Sequence, residues 1–168
     1  GAGNDPENGR KAAIESLDDI RRRLEAAGTR MLFVTAGMGG GTGTGASPVI
    51  AKLAHEMGIL TVGIVTSPLA VEGKIRYEQA FRRNVDSLMV INNENIVEMY
   101  GRLSLKQAFG KADDILASAA KGIAEIITVE SDMVNVDFAD VSKVMRDSGR
   151  AHMSVATAEG EHRAAEVA

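Results

Sequence analysis

The sequence predicts an α/β protein, a parallel sheet flanked by helices, and three observations carry that prediction. Short apolar runs alternate with segments of helical periodicity. The segments between successive runs have the length of helical crossovers, which pair strands in parallel. A dense glycine cluster, Gly39-Gly40-Gly41-Thr42-Gly43-Thr44-Gly45, follows the first apolar run and opens onto a helical pattern.

The elements follow in order. Asp5-Pro6 reads as a helix start, with a capping carboxylate and Pro in the first turn. Ile14, Leu17, Ile20 and Leu24 continue the helix to Gly28. Met31–Thr35 is a buried strand that runs into the glycines. Ser47-Pro48 opens a second helix, with Val49, Ile50, Leu53, Ala54 and Met57 on its apolar face and Gly58 at its end. Leu60–Thr66 is the next strand, followed by a helix over about Glu72–Asn84 and a third strand, Ser87–Ile91. A short helical segment spans Glu94–Tyr100. Leu105, Phe109, Ala112, Leu116, Ala119, Ile123 and Ile126 then form an unbroken stripe, predicting a long central helix over about 104–128. Val134–Val136 reads as extended, Asp140–Arg146 as helical up to Gly149, and His152–Thr157 as strand-like.

Composition narrows the function classes. With 168 residues, 45% hydrophobic and 25% charged, the chain has the profile of an ordinary globular domain. Cysteine is absent, which excludes disulfides, thiolate nucleophiles and cysteine zinc sites. The apolar runs fall far short of the ~20 residues of a membrane span. The polar, Gly/Asn-rich start does not read as a signal peptide, so a cytoplasmic location and no membrane insertion are expected. A net charge of −4 argues against nucleic acid as a partner, and Arg76, Arg82 and Arg83 read as a solvated helix face. His55, His152 and His162 lie far apart without ligand spacing, so no metal or catalytic role is expected of them.

The glycine run points to phosphate. Glycines let backbone N–H groups turn towards anionic oxygens, and the following helix N-terminus adds about half a positive charge. No Lys follows the run, so it is not the GxxxxGK[ST] loop. Gly41 to Ala46 satisfies GxGxxA, but a dinucleotide site needs a carboxylate at the end of the second strand. That strand ends Val65-Thr66-Ser67-Pro68, which counts against a nicotinamide-dependent oxidoreductase.

The string TAGMGGGTGTGASPVIA, Thr35–Ala51, resembles the tubulin/FtsZ superfamily and its FtsZ branch in particular. Four further stretches resemble it in the same order: Val71–Arg76, Ile91–Glu94, Ala108–Asp114 and Asn135–Asp140. The resemblance implies a Rossmann-like GTPase domain that assembles head-to-tail with itself into filaments of the bacterial division ring at midcell. It implies GTP or GDP with Mg²⁺ as ligands. Gly39, Gly40, Gly41, Thr42, Gly43, Thr44 and Gly45 correspond to the phosphate grip, and Glu72 and Arg76 to residues near ribose and phosphates. Asn93 corresponds to a residue near ribose and base, Phe109 to one packed on the base, and Asp113 to the guanine reader. Asp137 and Asp140 correspond to carboxylates that enter the neighbouring subunit's pocket to position the attacking water or help hold the cation.

Each residue also has a plain structural role available. Glu72 and Arg76 could be an i,i+4 surface pair, Phe109 core, Asp113 a solvated carboxylate, Asn93 a turn residue, and Asp137/Asp140 a helix cap. The resemblance further implies a GTP-binding domain over 1–130 and a loop, helix and start of a second domain over 131–168. The family's first strand and first glycine loop, and the tail through which it meets other division-ring proteins, are not in this sequence. The helix before Ser87 is also shorter than usual in the family. Were these 168 residues the entire polypeptide, weak nucleotide binding and poor assembly would be expected, and a non-catalytic assembly module is the alternative.

Overall fold

The computed structural model describes residues 1–67, 75–92, 96, 104–129, 136–153, 160, 162 and 165. Its elements are α1 (Pro6–Glu15), α2 (Leu17–Ala26), β1 (Met31–Gly37), α3 (Gly41–Glu56) and β2 (Leu60–Ser67). They continue with α4 (Ile75–Arg82), β3 (Ser87–Asn92), α5 (Leu105–Thr128), α6 (Phe138–Met145) and β4 (Gly149–Arg150). The four strands form one sheet in the order β1-β2-β3-β4, with every neighbouring pair parallel.

β2 explains the layering. It is a run of Leu, Val and Ile whose first six residues are buried, as expected of a parallel strand covered on both faces. Successive side chains alternate between faces. Leu60, Val62 and Ile64 pack in one cluster with Ala112, Ala119 and Ile123 of α5. Val65 packs in the other, with Ala51 of α3 and Phe81 of α4. The long helix thus covers one face, and α3 and α4 cover the opposite one. Ser104 starts α5 with a capping box, its hydroxyl accepting the Gln107 N–H at 3.4 Å while Gln107 Oε1 accepts the Ser104 N–H at 2.9 Å.

The structure corrects several of the expected boundaries. The helix expected up to Gly28 is two helices, broken at Ser16, where the backbone tightens to ψ 3°. The helix expected to open at Ser47-Pro48 begins at Gly41, and Pro48 lies inside it. Packing overrides the low helix propensity of glycine there. The helix expected over Asp140–Arg146 starts two residues earlier, at Phe138, and ends at Met145 with Arg146 as its C-cap. A short strand not expected from the sequence, β4, pairs with β3 just before His152. Gly149 N–H donates to Asp86 O at 2.9 Å and Ala151 N–H to Leu88 O at 3.1 Å, which sets that register. Of Glu94–Tyr100 only Ile96 is described; Val134 and Asn135 lie outside the described residues, as do residues 154–157.

Candidate functional site

The glycine cluster is a strand-to-helix turn rather than a free loop. β1 ends at Gly37; Met38 N–H donates to Thr66 O at 2.9 Å, which holds the turn against β2. Gly39 takes φ +115°, a conformation open to glycine, and its N–H donates to Thr44 Oγ1 at 2.8 Å. Gly40 is the N-cap of α3, with no side-chain acceptor over the first turn. The leading amides of an α-helix lack intrahelical acceptors, so the start at Gly41, Thr42 and Gly43 presents donors that an anion can satisfy. Thr42 is exposed beside them, whereas Thr44 is 2% exposed and occupied in holding the turn.

Not every glycine faces a ligand. A Cβ on Gly45 would stand 1.9 Å from Pro6 O, so this glycine is required for α1 to lie against α3. Part of the signal read as a phosphate grip is thus helix–helix packing. The same contact brings up an element that sequence reasoning missed. Gly3 and Asn4 have positive φ (59° and 61°), and Asp5 N–H donates to Ala2 O at 3.0 Å, forming a turn. Its Asp5 backbone stands beside Gly41. Gly-Ala-Gly-Asn before a capping Asp was the available signal, but read alone it marked only a helix start.

The remaining candidates are distributed. Glu72 and Asn93 lie outside the described residues. Arg76 is in the first turn of α4 and Phe109 in the second turn of α5, their side chains not among those described. Asp113 is exposed on α5, about 12 Å along the axis from Leu105. Asp113 therefore lies in the N-terminal half of α5.

Asp137 and Asp140 do come together. Asp137 is the N-cap of α6; its Oδ1 accepts the Asp140 N–H at 3.0 Å, and Asp140 Oδ2 accepts the Asp137 N–H at 3.3 Å. Both are exposed, and each has a second carboxylate oxygen outside this box. Their place relative to the sheet is fixed by Phe138, whose ring lies 4.1 Å from the guanidinium carbon of Arg30. Arg30 directly precedes β1, whereas the glycine turn directly follows it. Seven strand residues at about 3.3 Å each separate the two by roughly 20 Å. The glycine turn is at the C-terminal end of the strands, and the carboxylate pair is at the N-terminal end.

The same lower edge gathers charges that lie far apart in sequence. Asp86 is fully buried; its Oδ2 accepts the Thr61 N–H at 2.8 Å and its Oδ1 the Asp147 N–H at 3.3 Å. His55 Nε2 stands 3.6 Å from Asp86 Oδ1 and 3.8 Å from Asp147 Oδ1, and Arg146 Nη1 stands 3.9 Å from Asp86 Oδ1. The sequence distance between His55, Asp86 and Asp147 concealed this grouping. At the upper end, next to the turn, Arg10 donates to Glu7 at 2.8 and 2.9 Å and lowers the Glu7 carboxyl below its ordinary range.

A parallel α/β sheet with a helix N-terminus at its strand C-termini defines a class: domains whose fold can offer main-chain donors to an anionic ligand at that edge. Residues 1–101 match the family model described as the Tubulin/FtsZ family, GTPase domain, and the chain belongs to that family. It is 52% identical over 169 residues to the cell division protein FtsZ of Porphyromonas gingivalis, covering 97% of this chain and 37% of that protein. With FtsZ of Pseudomonas aeruginosa it shares 50% over 173 residues, covering 99% of this chain and 43% of the relative. Among solved structures, an empty FtsZ dimer from M. jannaschii superposes with TM-score 0.90 at 39% identity, over 99% of this chain and 50% of that one. The chain therefore spans half or less of the length of these relatives.

Proposed function

We propose that this chain binds GTP at the glycine turn and hydrolyses it at a head-to-tail contact with a second copy, as part of a filament-forming protein of the bacterial division ring. The observation that carries the reading is the separation of the two half-sites. One chain cannot bring Asp137 and Asp140 to a phosphate held some 20 Å away across the sheet, but two copies stacked along the strand direction can. Such a contact is heterologous and non-closing, which yields filaments. The family and the name shared by the relatives support the same assignment.

In this reading the α3 amides and the Thr42 hydroxyl bind the phosphates and take up the charge that develops on them. Arg76 adds a fixed cation and Glu72 a carboxylate near the ribose, while Asn93 and Phe109 contact the base. Asp113 accepts from the N1–H and 2-amino group of guanine, a donor pair that adenine lacks. The outward oxygens of Asp137 and Asp140 orient and polarise a water in line with the scissile bond of the neighbour's nucleotide. Mg²⁺, when bound, would supply further charge neutralisation at the phosphates; the exposed Thr42 hydroxyl and the outward oxygens of Asp137 and Asp140 have the hard donor chemistry that would hold it. The site of action is cytoplasmic, at midcell.

The test is phosphate release from GTP, with ATP as control, followed together with light scattering for the chain and for Asp137→Ala. The expected result is GTP-selective release that the substitution abolishes without loss of GTP binding. GTP binding and assembly without any release would instead identify a non-catalytic assembly module. Absence of binding to GTP and ATP alike would refute the nucleotide site.

A further inference from the structure

We propose that Asp86 is a positioning residue that aims Asp137 and Asp140 at the neighbouring subunit; the proposal rests on the function proposed for that pair. The starting point is the weakness of α6 on its own. It has eight residues, far below the length at which an isolated helix persists in water. Only Val141 of the eight is buried, with Phe138 and Met145 partly covered. So little apolar contact does not fix the direction of a helix. Polar tethers must supply the rest.

Asp86 supplies them from inside the sheet. Burying a carboxylate is costly unless its oxygens are bonded. One oxygen is used within the sheet, on the N–H of Thr61. The other points to the segment after α6, where it accepts the Asp147 N–H and faces Arg146. The Asp86 main-chain carbonyl accepts the Gly149 N–H at 2.9 Å and lies 3.5 Å from the Ser148 hydroxyl. Arg146 Nη2 also donates to Gly58 O at 3.3 Å. Four consecutive residues, 146–149, are thus bound to the entrances of β2 and β3. At the other end of α6, Arg30 over Phe138 ties the helix to the entrance of β1.

The arrangement favours a latch over a cation site. His55, Asp86 and Asp147 have the donor types and proximity for a metal ion. However, the oxygen they would share, Asp86 Oδ1, already accepts an N–H and faces the Arg146 guanidinium. That cation competes with a metal for the same charge. A rigid helix anchored at 146–149 and at Phe138 transmits its orientation directly to the N-cap, where Asp137 and Asp140 lie. Asp86 touches neither nucleotide nor water in this scheme; it acts through α6.

The experiment compares the chain with Asp86→Asn and, should that variant fail to fold, Arg146→Gln. Amide hydrogen exchange, affinity for a fluorescent GTP analogue and steady-state phosphate release are measured on each. Asn keeps an acceptor for Thr61 but presents a donor to the Asp147 N–H. The expected result is exchange raised about tenfold in peptides over 137–150, against little change over β2 and α3. Analogue affinity stays within about twofold, and kcat falls by about tenfold or more. Unchanged exchange over 137–150 overturns the proposal, as does exchange raised evenly along the chain or a loss of activity that tracks nucleotide affinity. Should the unsubstituted chain bind no GTP or release no phosphate, the functional reading fails. The positioning role then fails with it, and the exchange contrast reports separately that the anchor exists.

Discussion

Asp137 and Asp140 cap each other: each carboxylate accepts the other residue's main-chain N–H, at 3.0 and 3.3 Å. This box gives the pair a structural task beside the proposed catalytic one, and the two can be separated. Asp137→Ser keeps an N-cap acceptor and removes the charge, whereas Asp137→Ala removes both. Asp137→Ser is expected to unfold within about 0.5 kcal/mol of the unsubstituted chain and Asp137→Ala about 1 kcal/mol below it. Both are expected to lose GTP hydrolysis. Full hydrolysis by Asp137→Ser, measured as phosphate release, would leave the pair with capping alone.

The contact between Gly45 and Pro6 O leaves no room for a side chain. Gly45→Val is expected to push α1 off α3 and destabilise the chain by about 1–3 kcal/mol or more, read from urea unfolding. Because α1 also carries the Ala2–Asp5 turn beside Gly41, affinity for GTP is expected to fall with it.

Asp113 offers the opposite combination. It is exposed, so Asp113→Asn is expected to change stability by less than about 0.5 kcal/mol. Asn keeps one acceptor oxygen but loses the charge and presents a donor to the second guanine N–H, which is expected to weaken GTP binding by about 10- to 100-fold and narrow the preference over ATP. Competition titration with the two nucleotides measures both effects. An unchanged GTP preference would place guanine recognition elsewhere.

Ser87 supplies a check on the sheet itself. Among the described residues it is the one buried side chain whose oxygen has no hydrogen-bond partner. Ser87→Ala is expected to leave thermal stability unchanged or raise it by up to about 1 kcal/mol. A loss of more than that would show that the hydroxyl has a partner.

Much of this fold was legible because its causes are local. β2 is a short segment rich in Leu, Val and Ile and α5 carries an unbroken apolar stripe, and each is recognisable by pattern alone. The start of α3 was not legible, because Gly41–Gly45 has poor helix propensity and is held helical by α1, a contact distant in sequence. β4 was not legible for the same kind of reason: Asp86, not its own residues, fixes the register of Gly149. At the site, spacing found the Asp137/Asp140 box and the glycine turn. It could not find the grouping of His55, Asp86 and Asp147, which exists only once distant segments meet at the lower edge of the sheet.

The central claim is that the phosphate site and the carboxylate pair work only when supplied by different copies. The most direct measurement is the specific rate of phosphate release from GTP as a function of protein concentration, with light scattering in parallel. If different copies supply the two half-sites, the rate per chain is negligible when dilute and rises with assembly. A rate per chain that stays constant across the dilution series, with no scattering, would contradict the claim.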